Sequence, residues 1–495
     1  VIEIVKKGFY ITTPLYYLNG PPHIGHAYTT IVADVIARWH RLKGEKVFFL
    51  TGTDEHGEKV LQAAEKAGKG ARQFVDELST IFRNTWDTLD ISYDDFIRTT
   101  EDRHKRVVRE FILAANKRGD IYKGEYEGYY CVGCESFKTE KEIQGGECPD
   151  HKIRLEKRKE ESYFFRLSRY QDRLLKLYDK RPDFISPTSR TDEVRNRVKS
   201  GLKDLSITRE NLKWGIPFPL ESRHATYVWF DALTNYVSAL GGRKGALFRA
   251  FWPADIHIVG KEINWFHSVI WPAILFSVGI KPPKKILVHG WWLVEGQKMS
   301  KSVGNIVDPL QMANKYSVDS LRYYLLRDAV FGEDADFSEK KLVERTNGEL
   351  VADLGNLVYR ALTLAEKYKG KITGKPYENL TQKIKSISKH MEEAKISQAL
   401  EEILQIVRDT NKYINQTEPW KLEGKKLGEV IYNLVERIRI ISILIGPFMP
   451  STSRRIFEQL GIRPQNLRHA RFAQFKGRIK RGGYLFHKIE GEKIG

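Results

Sequence analysis

Apolar residues along this chain recur with two different periods, and the change from one to the other divides it. Near the start, "GFYITTPLYYLN" (residues 8–19) is rich in β-branched and aromatic residues, the mark of a strand running into a loop. Ile31, Val32, Val35, Ile36 and Trp39 then repeat at helical spacing, and "GEKVFFLTGTDEHG" reads as a second buried strand that ends in polar residues. Strand, turn, helix and strand make a βαβ unit, which predicts a parallel sheet. From about 119 to 220 Tyr, Cys, Gly and Lys crowd together; residues 161–180 read as helix and "PDFISPTSRTDEV" as loop. The α/β texture resumes in "ATYVWFDALTNYV", "DIHIVGKEINWFHSVIWPAIL" and "KKILVHGWWLVEGQ". Beyond about 340 the period is helical. Ile396, Ala399, Leu400, Ile403, Ile406 and Val407 form one apolar face, and Val430, Leu434, Ile438, Ile441 and Ile445 another, which Pro447 and Pro450 bring to a stop.

The expected fold class is therefore α/β: a Rossmann-type parallel sheet split by an insertion, followed by an all-α helix bundle. The expected boundaries are 1–118 and 221–290 for the two halves of the sheet domain, 119–220 for the insertion, 291–350 for a connecting region and 351–495 for the helices.

Charge adds a partner to this picture. Lys and Arg number 82 against 63 Asp and Glu, a formal net charge of +19 spread along the chain. Such an excess points to a polyanion, with nucleic acid the foremost candidate, although a chain rich in both signs also carries a solvated charged surface. There is no uninterrupted apolar run of transmembrane length and no secretory signal pattern in "VIEIVKKGFYITTP", so the expectation is a cytoplasmic protein with no membrane partner.

Two loops carry candidate chemistry. In "GPPHIGHAYTT", His23 and His26 flank Gly25 where the first strand hands over to a helix. Ligands of open parallel sheets bind beyond such strand ends, and free backbone N–H groups with the helix dipole favour an anion there. Gly25 would let a ligand approach the backbone, and the imidazoles would add donors. By itself the turn leaves filler, a metal site and an anion site open. In "VEGQKMSKSVGNIVDP", Lys298 and Lys301 lie in a Gly- and Ser-flanked loop with Ser300 between them. Phosphoryl and nucleotidyl transfer needs developing negative charge neutralised, which ammonium groups provide.

A third stretch, "CVGCESFKTEKEIQGGECPDH", holds all three cysteines: Cys131-x2-Cys134-x13-Cys148-x2-His151. Two pairs, each closed by a two-residue turn, suit tetrahedral Zn²⁺ with three sulfurs and one nitrogen and no open position, hence one structural ion. The same donors leave iron or a redox cluster open.

His-Ile-Gly-His followed, far downstream, by Lys-Met-Ser-Lys-Ser resembles the two signatures of class I aminoacyl-tRNA synthetases. The stretches "TPLYYLNG", "FLTGTDEHG", "SITRENLKWGIPFP", "TYVWFDALTNYVSAL", "INWFHSVIWPAIL" and "LGNLVYR" are similar to the methionyl family, so that the resemblance spans nearly the whole chain. It implies an ATP site at His23, Gly25, His26, Lys298, Ser300 and Lys301, with the two histidines and two lysines catalytic. It implies a methionine pocket of Leu15, Tyr17, Trp229, Ala232, Leu233, Tyr236, Ile263 and His267, with Asp54 on the α-ammonium group. Polarizable aromatic walls suit a thioether, and Tyr or His can offer sulfur a weak donor.

The resemblance further implies that 291–350 carries the Lys-Met-Ser-Lys-Ser loop and stem contacts, and that Asn356, Arg360 and Trp420 in the helical domain read the CAU anticodon. Asn, Arg and Trp can bond and stack unpaired bases. A single zinc knuckle resembles that of some methionyl enzymes. The implied reaction joins methionine to the 3′-terminal adenosine of tRNA(Met), initiator tRNA included, through methionyl-adenylate, with Mg²⁺ accompanying ATP. Synthetases for leucine, isoleucine or valine usually carry a larger editing insertion. A small-molecule nucleotidyltransferase would not need the helical tail, and a non-catalytic zinc protein that binds RNA would not need His23, His26 and Lys301 together. Many bacterial relatives continue into an OB-fold; the expectation for a chain ending at Gly495 includes a monomer, a truncated chain, or a subunit beside a separate tRNA-binding OB-fold chain.

Overall fold

The computed structural model describes residues 8–132, 136–138, 143, 145–149, 153–210, 212–299 and 304–490. The chain forms two compact units. One comprises Val1–Pro22, Val47–Asn84 and Tyr93–His289; the other comprises His23–Lys46, Thr85–Ser92 and Gly290–Gly495.

The first unit is built on the expected parallel sheet. Val47–Asp54 pairs with Phe9–Thr12, Tyr16–Tyr17 and Asp95–Arg98. Phe9–Thr12 pairs with Ile256–Gly260, which pairs with Lys285–His289, which pairs with Ile185–Ser186, all in parallel. Phe48 to Asp54 are buried without a break, as in a strand covered on both faces. Pro14, with no N–H to give, lies in the gap between Phe9–Thr12 and Tyr16–Tyr17.

The inserted region makes its own antiparallel sheet, in which Ile121–Cys131 pairs with Glu156–Phe165, flanked by Ser136–Lys138 and Leu205–Ser206. Residues 161–165 are thus strand, not the expected helix, which begins only at Gln171 after a 3₁₀ turn at Leu167–Tyr170. Pairing with a partner some forty residues upstream overrides the local pattern. The expected loop around Pro187 likewise contains the helix Thr188–Lys199. Its buried Thr191, Val194 and Val198 form one stripe, and Pro187 stands just before the first turn, where no N–H is missed.

The second unit is mainly helical, with a small sheet of Gln297–Lys298, Trp292–Val294 and Ala335–Phe337. Ile396–Thr417 and Gly424–Ile445 bury every position of the two expected apolar faces. Pro447 follows the second helix, whereas Pro450 opens the next, Pro450–Leu460, from its first turn. Among the described residues no helix is long and apolar enough to cross a membrane.

This unit contains a buried ion pair. Arg322, on the helix Val318–Asp328, and Asp34, on the helix Ile24–Leu42, are both 0% exposed. Arg322 Nη2 donates to Asp34 Oδ2 at 2.6 Å and to the Pro447 carbonyl at 3.0 Å. Its Nε and Nη1 donate to the Phe448 and Leu89 carbonyls at 3.0 and 3.1 Å. Asp34 also accepts from Arg38 at 2.7 Å and from the Ser92 N–H and hydroxyl at 2.8 and 2.6 Å. Burial alone would raise the Asp34 carboxyl, but the Arg322 and Arg38 guanidiniums and the Ser92 bonds hold it below the usual carboxylate range.

Arg322→Met, which strips Asp34 of its principal counter-charge, is expected to cost about 3–5 kcal/mol in urea denaturation, and Asp34→Asn in the same chain to recover part of that. Because the folded carboxyl lies below its unfolded value, its contribution is present above about pH 4 and is lost as the pH falls through the folded value. Wild-type stability should therefore fall more steeply in acid than that of the double variant.

Candidate active site

His23 is the N-cap of the helix Ile24–Leu42, and the two imidazoles cap that helix themselves. His23 Nδ1 accepts the Gly25 N–H at 3.1 Å, and His26 Nδ1 accepts the His23 N–H at 3.3 Å. The rings stack with centroids 3.7 Å apart. An Nδ1 that accepts carries no proton, so each neutral ring bears its proton on Nε2. Burial, then the neighbouring His23, pushes the His26 imidazole well below its ordinary value, which keeps it neutral.

Two expectations change here. The Gly25 N–H is taken by His23, and the Ile24 N–H by the Val307 carbonyl at 3.0 Å, so donors toward an anion come from the imidazoles more than from this backbone. A Cβ on Gly25 would stand 3.0 Å from His23 Cε1 and 3.6 Å from Met299 Cε. The glycine therefore seats the His23 ring and Met299, the second residue of the Lys-Met-Ser-Lys-Ser stretch. Lys298 ends a hairpin of Trp292–Val294 and Gln297–Lys298, turned at Glu295 and Gly296 with positive φ of 53° and 71°. Its ammonium lies over the Trp291 ring, 4.3 Å from the centroid. Ser300 and Lys301 lie outside the described residues.

The residues of the implied methionine pocket fall in the other unit. Leu15, Tyr17, Trp229 and Ile263 are partly buried and pack against one apolar core that includes Leu233 and Tyr236. Trp229, Ala232 and Leu233 share the short helix Val228–Leu233, and Asp54 stands opposite Tyr17 at the end of its strand. His267 lies edge-on to Trp229 at 6.3 Å. Its Nδ1–H donates to the Ile263 carbonyl at 3.0 Å, so Nε2 accepts the Tyr236 hydroxyl at 2.7 Å. Both protons are thus used within the wall, whereas the sequence suggested that Tyr or His offers one to sulfur. Burial lowers His267 to about 4, so the imidazole is neutral.

Asp231, His56 and His104 were not singled out from the sequence. Asp231 Oδ2 lies 2.7 Å from His56 Nδ1 and Oδ1 lies 2.6 Å from His104 Nε2, with all three side chains buried. Trp291 beneath Lys298 was missed as well. The signal was present in part, since His56 follows Asp54 by two residues and Asp231 follows Trp229 by two.

In the inserted region, Cys131 and Cys148 are buried in one small cluster with Leu155. The Cys148 N–H donates to the Ile153 carbonyl at 2.9 Å, and Glu147 bridges Arg154. Two thiols in one small cluster fit the expected donor set; Cys134 and His151 lie outside the described residues.

In the helical unit, Asn356 and Arg360 lie one turn apart on Asn356–Lys367, and the Arg360 guanidinium is 6.0 Å from the Trp420 ring centroid. Asn415 Oδ1 accepts from Arg360 at 3.1 Å. Trp420 is 55% exposed.

Comparison with known proteins identifies the family. The family model "tRNA synthetases class I (M)" matches residues 9–157 and 151–362, and "Anticodon binding domain of methionyl tRNA ligase" matches 367–494. The methionine–tRNA ligase of Caldanaerobacter subterraneus subsp. tengcongensis is 47% identical over 99% of this chain and 80% of its own length. That of Thermotoga maritima is 48% identical over 91% of this chain and 75% of its own. Mycobacterium tuberculosis methionyl-tRNA synthetase in complex with methionyl-adenylate superimposes with a TM-score of 0.92 at 39% identity, covering 97% of this chain and 99% of that one. The chain therefore belongs to the methionyl-tRNA synthetases, the methionine–tRNA ligases of class I.

Proposed function

We propose that the chain carries out the methionine–tRNA ligase reaction with the following division of labour. A methionine carboxylate oxygen attacks the α-phosphorus of ATP, and the bond to the bridging oxygen of pyrophosphate breaks, leaving methionyl-adenylate. The Nε2–H groups of His23 and His26 donate to phosphate oxygens as negative charge builds, and Lys298 and Lys301 neutralise the departing pyrophosphate. The terminal adenosine of tRNA(Met) then attacks the acyl carbon through its 2′-OH and AMP leaves. No side chain becomes acylated, so the residues act by binding the transition state more tightly than the substrates. Mg²⁺ enters with ATP and supplies further charge neutralisation.

Methionine lies with its ammonium group on Asp54 and its thioether between Leu15, Tyr17, Trp229, Ala232, Leu233, Tyr236, Ile263 and His267. A wall in which the Tyr236 and His267 protons are already used rewards a polarizable, weakly polar side chain over one that needs their hydrogen bonds. Cys131, Cys134, Cys148 and His151 would hold one structural Zn²⁺, which ties the two turns of the inserted region together. Asn356, Arg360 and Trp420 read the anticodon of tRNA(Met), initiator tRNA included, by edge bonding and stacking. This reading places the enzyme in the cytoplasm. A separate OB-fold subunit is compatible with it and would raise tRNA affinity without altering activation.

The observation that carries the reading is the seat at Gly25. Two stacked neutral imidazoles share it with Met299 of the distant lysine loop, which supports one site for both signatures. ATP–pyrophosphate exchange tests it: exchange should depend on methionine, and exchange driven by leucine, isoleucine or valine in its place overturns the proposal. Trp420→Ala is expected to leave exchange within two-fold of wild type. It should lower kcat/KM for tRNA charging roughly 10- to 100-fold, matching the ~1–3 kcal/mol of one aromatic–base stack. Equal loss of both activities would mean that the helical surface does not read the anticodon. Elemental analysis of the native protein should find one zinc per chain, and Cys148→Ser should lose it.

A further inference from the structure

The unit that holds the implied methionine pocket contains a buried carboxylate to which no role has yet been given. Asp231 is 0% exposed and receives two imidazoles, His56 and His104, from different parts of the chain. His56 belongs to the turn that follows Asp54. That turn is also held from its other side, where Trp214 Nε1–H donates to the Glu55 carbonyl at 2.5 Å and the Gly57 N–H donates to the Trp214 carbonyl at 3.1 Å. His104 comes from the helix Asp102–Lys117, and its Nδ1 is 2.8 Å from the hydroxyl of Ser238, on the helix Asn235–Ser238 that carries Tyr236. Asp231 itself lies in the single-turn helix with Trp229, Ala232 and Leu233. One carboxylate thus joins the turn after the ammonium anchor to both short helices of the pocket wall.

Burial by itself would raise the Asp231 carboxyl. The two histidines outweigh burial and hold it below its ordinary value, so it is an anion. Burying an anion with two imidazoles costs more desolvation than filling the same volume with apolar side chains. What such a cluster supplies instead is geometry, because two charge-assisted bonds fix separations more sharply than packing does. The separation fixed here is that between Asp54, two residues before His56, and the wall formed by Trp229, Ala232 and Leu233.

We infer that His56–Asp231–His104 is a positioning clamp that sets the distance from the ammonium anchor to the side-chain pocket, and so the length and shape of amino acid that the enzyme activates. The inference rests on the proposed function and deepens it. None of the three residues touches the reacting atoms; they act through Asp54 and the pocket wall.

The test is ATP–pyrophosphate exchange with methionine, norleucine and homocysteine, for wild type, His56→Ala, His56→Asn and Asp231→Asn. Asn at 56 places an amide N–H where the imidazole Nδ1–H stands. His56→Ala and Asp231→Asn should raise KM for methionine at least ten-fold, leave KM for ATP within two-fold, and narrow the preference for methionine over norleucine and homocysteine. His56→Asn should return KM for methionine to within three-fold of wild type. Unchanged KM for methionine in folded variants, or a His56→Asn no better than His56→Ala, overturns the clamp. If Asp231→Asn does not fold, the two substitutions at 56 decide the matter, since that position lies on a turn. Wild-type exchange that ignores methionine would instead defeat the proposed function, so the two failures are distinguishable.

Discussion

The helical unit depends on one guanidinium. Arg322 directs its donors to Asp34 and to the carbonyls of Leu89, Pro447 and Phe448. Those partners come from the helix headed by His23 and His26, from the segment Thr85–Ser92, and from the turn between the helices Gly424–Ile445 and Pro450–Leu460. No apolar side chain could satisfy three carbonyls and a carboxylate at once, and each would be costly to leave buried alone. The arrangement therefore has no close alternative packing. It gives the imidazole pair a rigid base, and in the proposed reaction donors aimed at developing charge act only if they need not reorganise.

A second constraint is that burial keeps imidazoles neutral. His26, His257 and His267 are all displaced downward, and in each the largest cause is desolvation. A neutral imidazole has one donor and one acceptor, so its neighbours dictate its orientation. His267 gives its Nδ1–H to Ile263 and accepts from Tyr236; His257 accepts from the Trp271 indole at 3.3 Å and gives its Nδ1–H to Thr12 at 2.8 Å. Tyr236 stacks on His257, with centroids 4.1 Å apart. The implied pocket wall is thus tied to the first strand of the sheet through a ring stack and directed bonds. Its polarity is fixed by those bonds, and not by ionisation.

Much of this was legible in the sequence because it is carried by short-range pattern. The strand at Val47–Asp54, the helix after His26 and the two long tail helices all follow from period and buried stripe. Fold class and both signature loops could be read on the same basis. What could not be read depends on distant partners. Glu156–Phe165 is a strand because Ile121–Cys131 lies beside it, and its own residues do not say so. Asp231 sits among the implied pocket residues in the sequence, but nothing local reveals that His104 will meet it. Nothing local to Gly25 reveals that a Cβ there would crowd His23 and meet Met299, a contact between residues nearly the whole catalytic region apart. Capping by histidine, in place of Ser, Thr, Asp or Asn, was equally hidden, since imidazole is not a usual N-cap.

The basic charge can now be apportioned. Three of the largest buried side chains are arginines, Arg322, Arg437 and Arg439, and each is paired with a carboxylate: Asp34, Glu378 and Glu436. Pairs of this kind cancel and present no net field outside the protein. The excess of +19 must then reside on residues nearer the surface, where it can act on a partner. Arg360 is one such residue, held by a single bond to Asn415 beside an indole that the fold leaves uncovered. Interior arginines fix the architecture by being neutralised. In the proposed anticodon reading, a polyphosphate chain with unstacked bases would satisfy both the Arg360 charge and the exposed Trp420 ring.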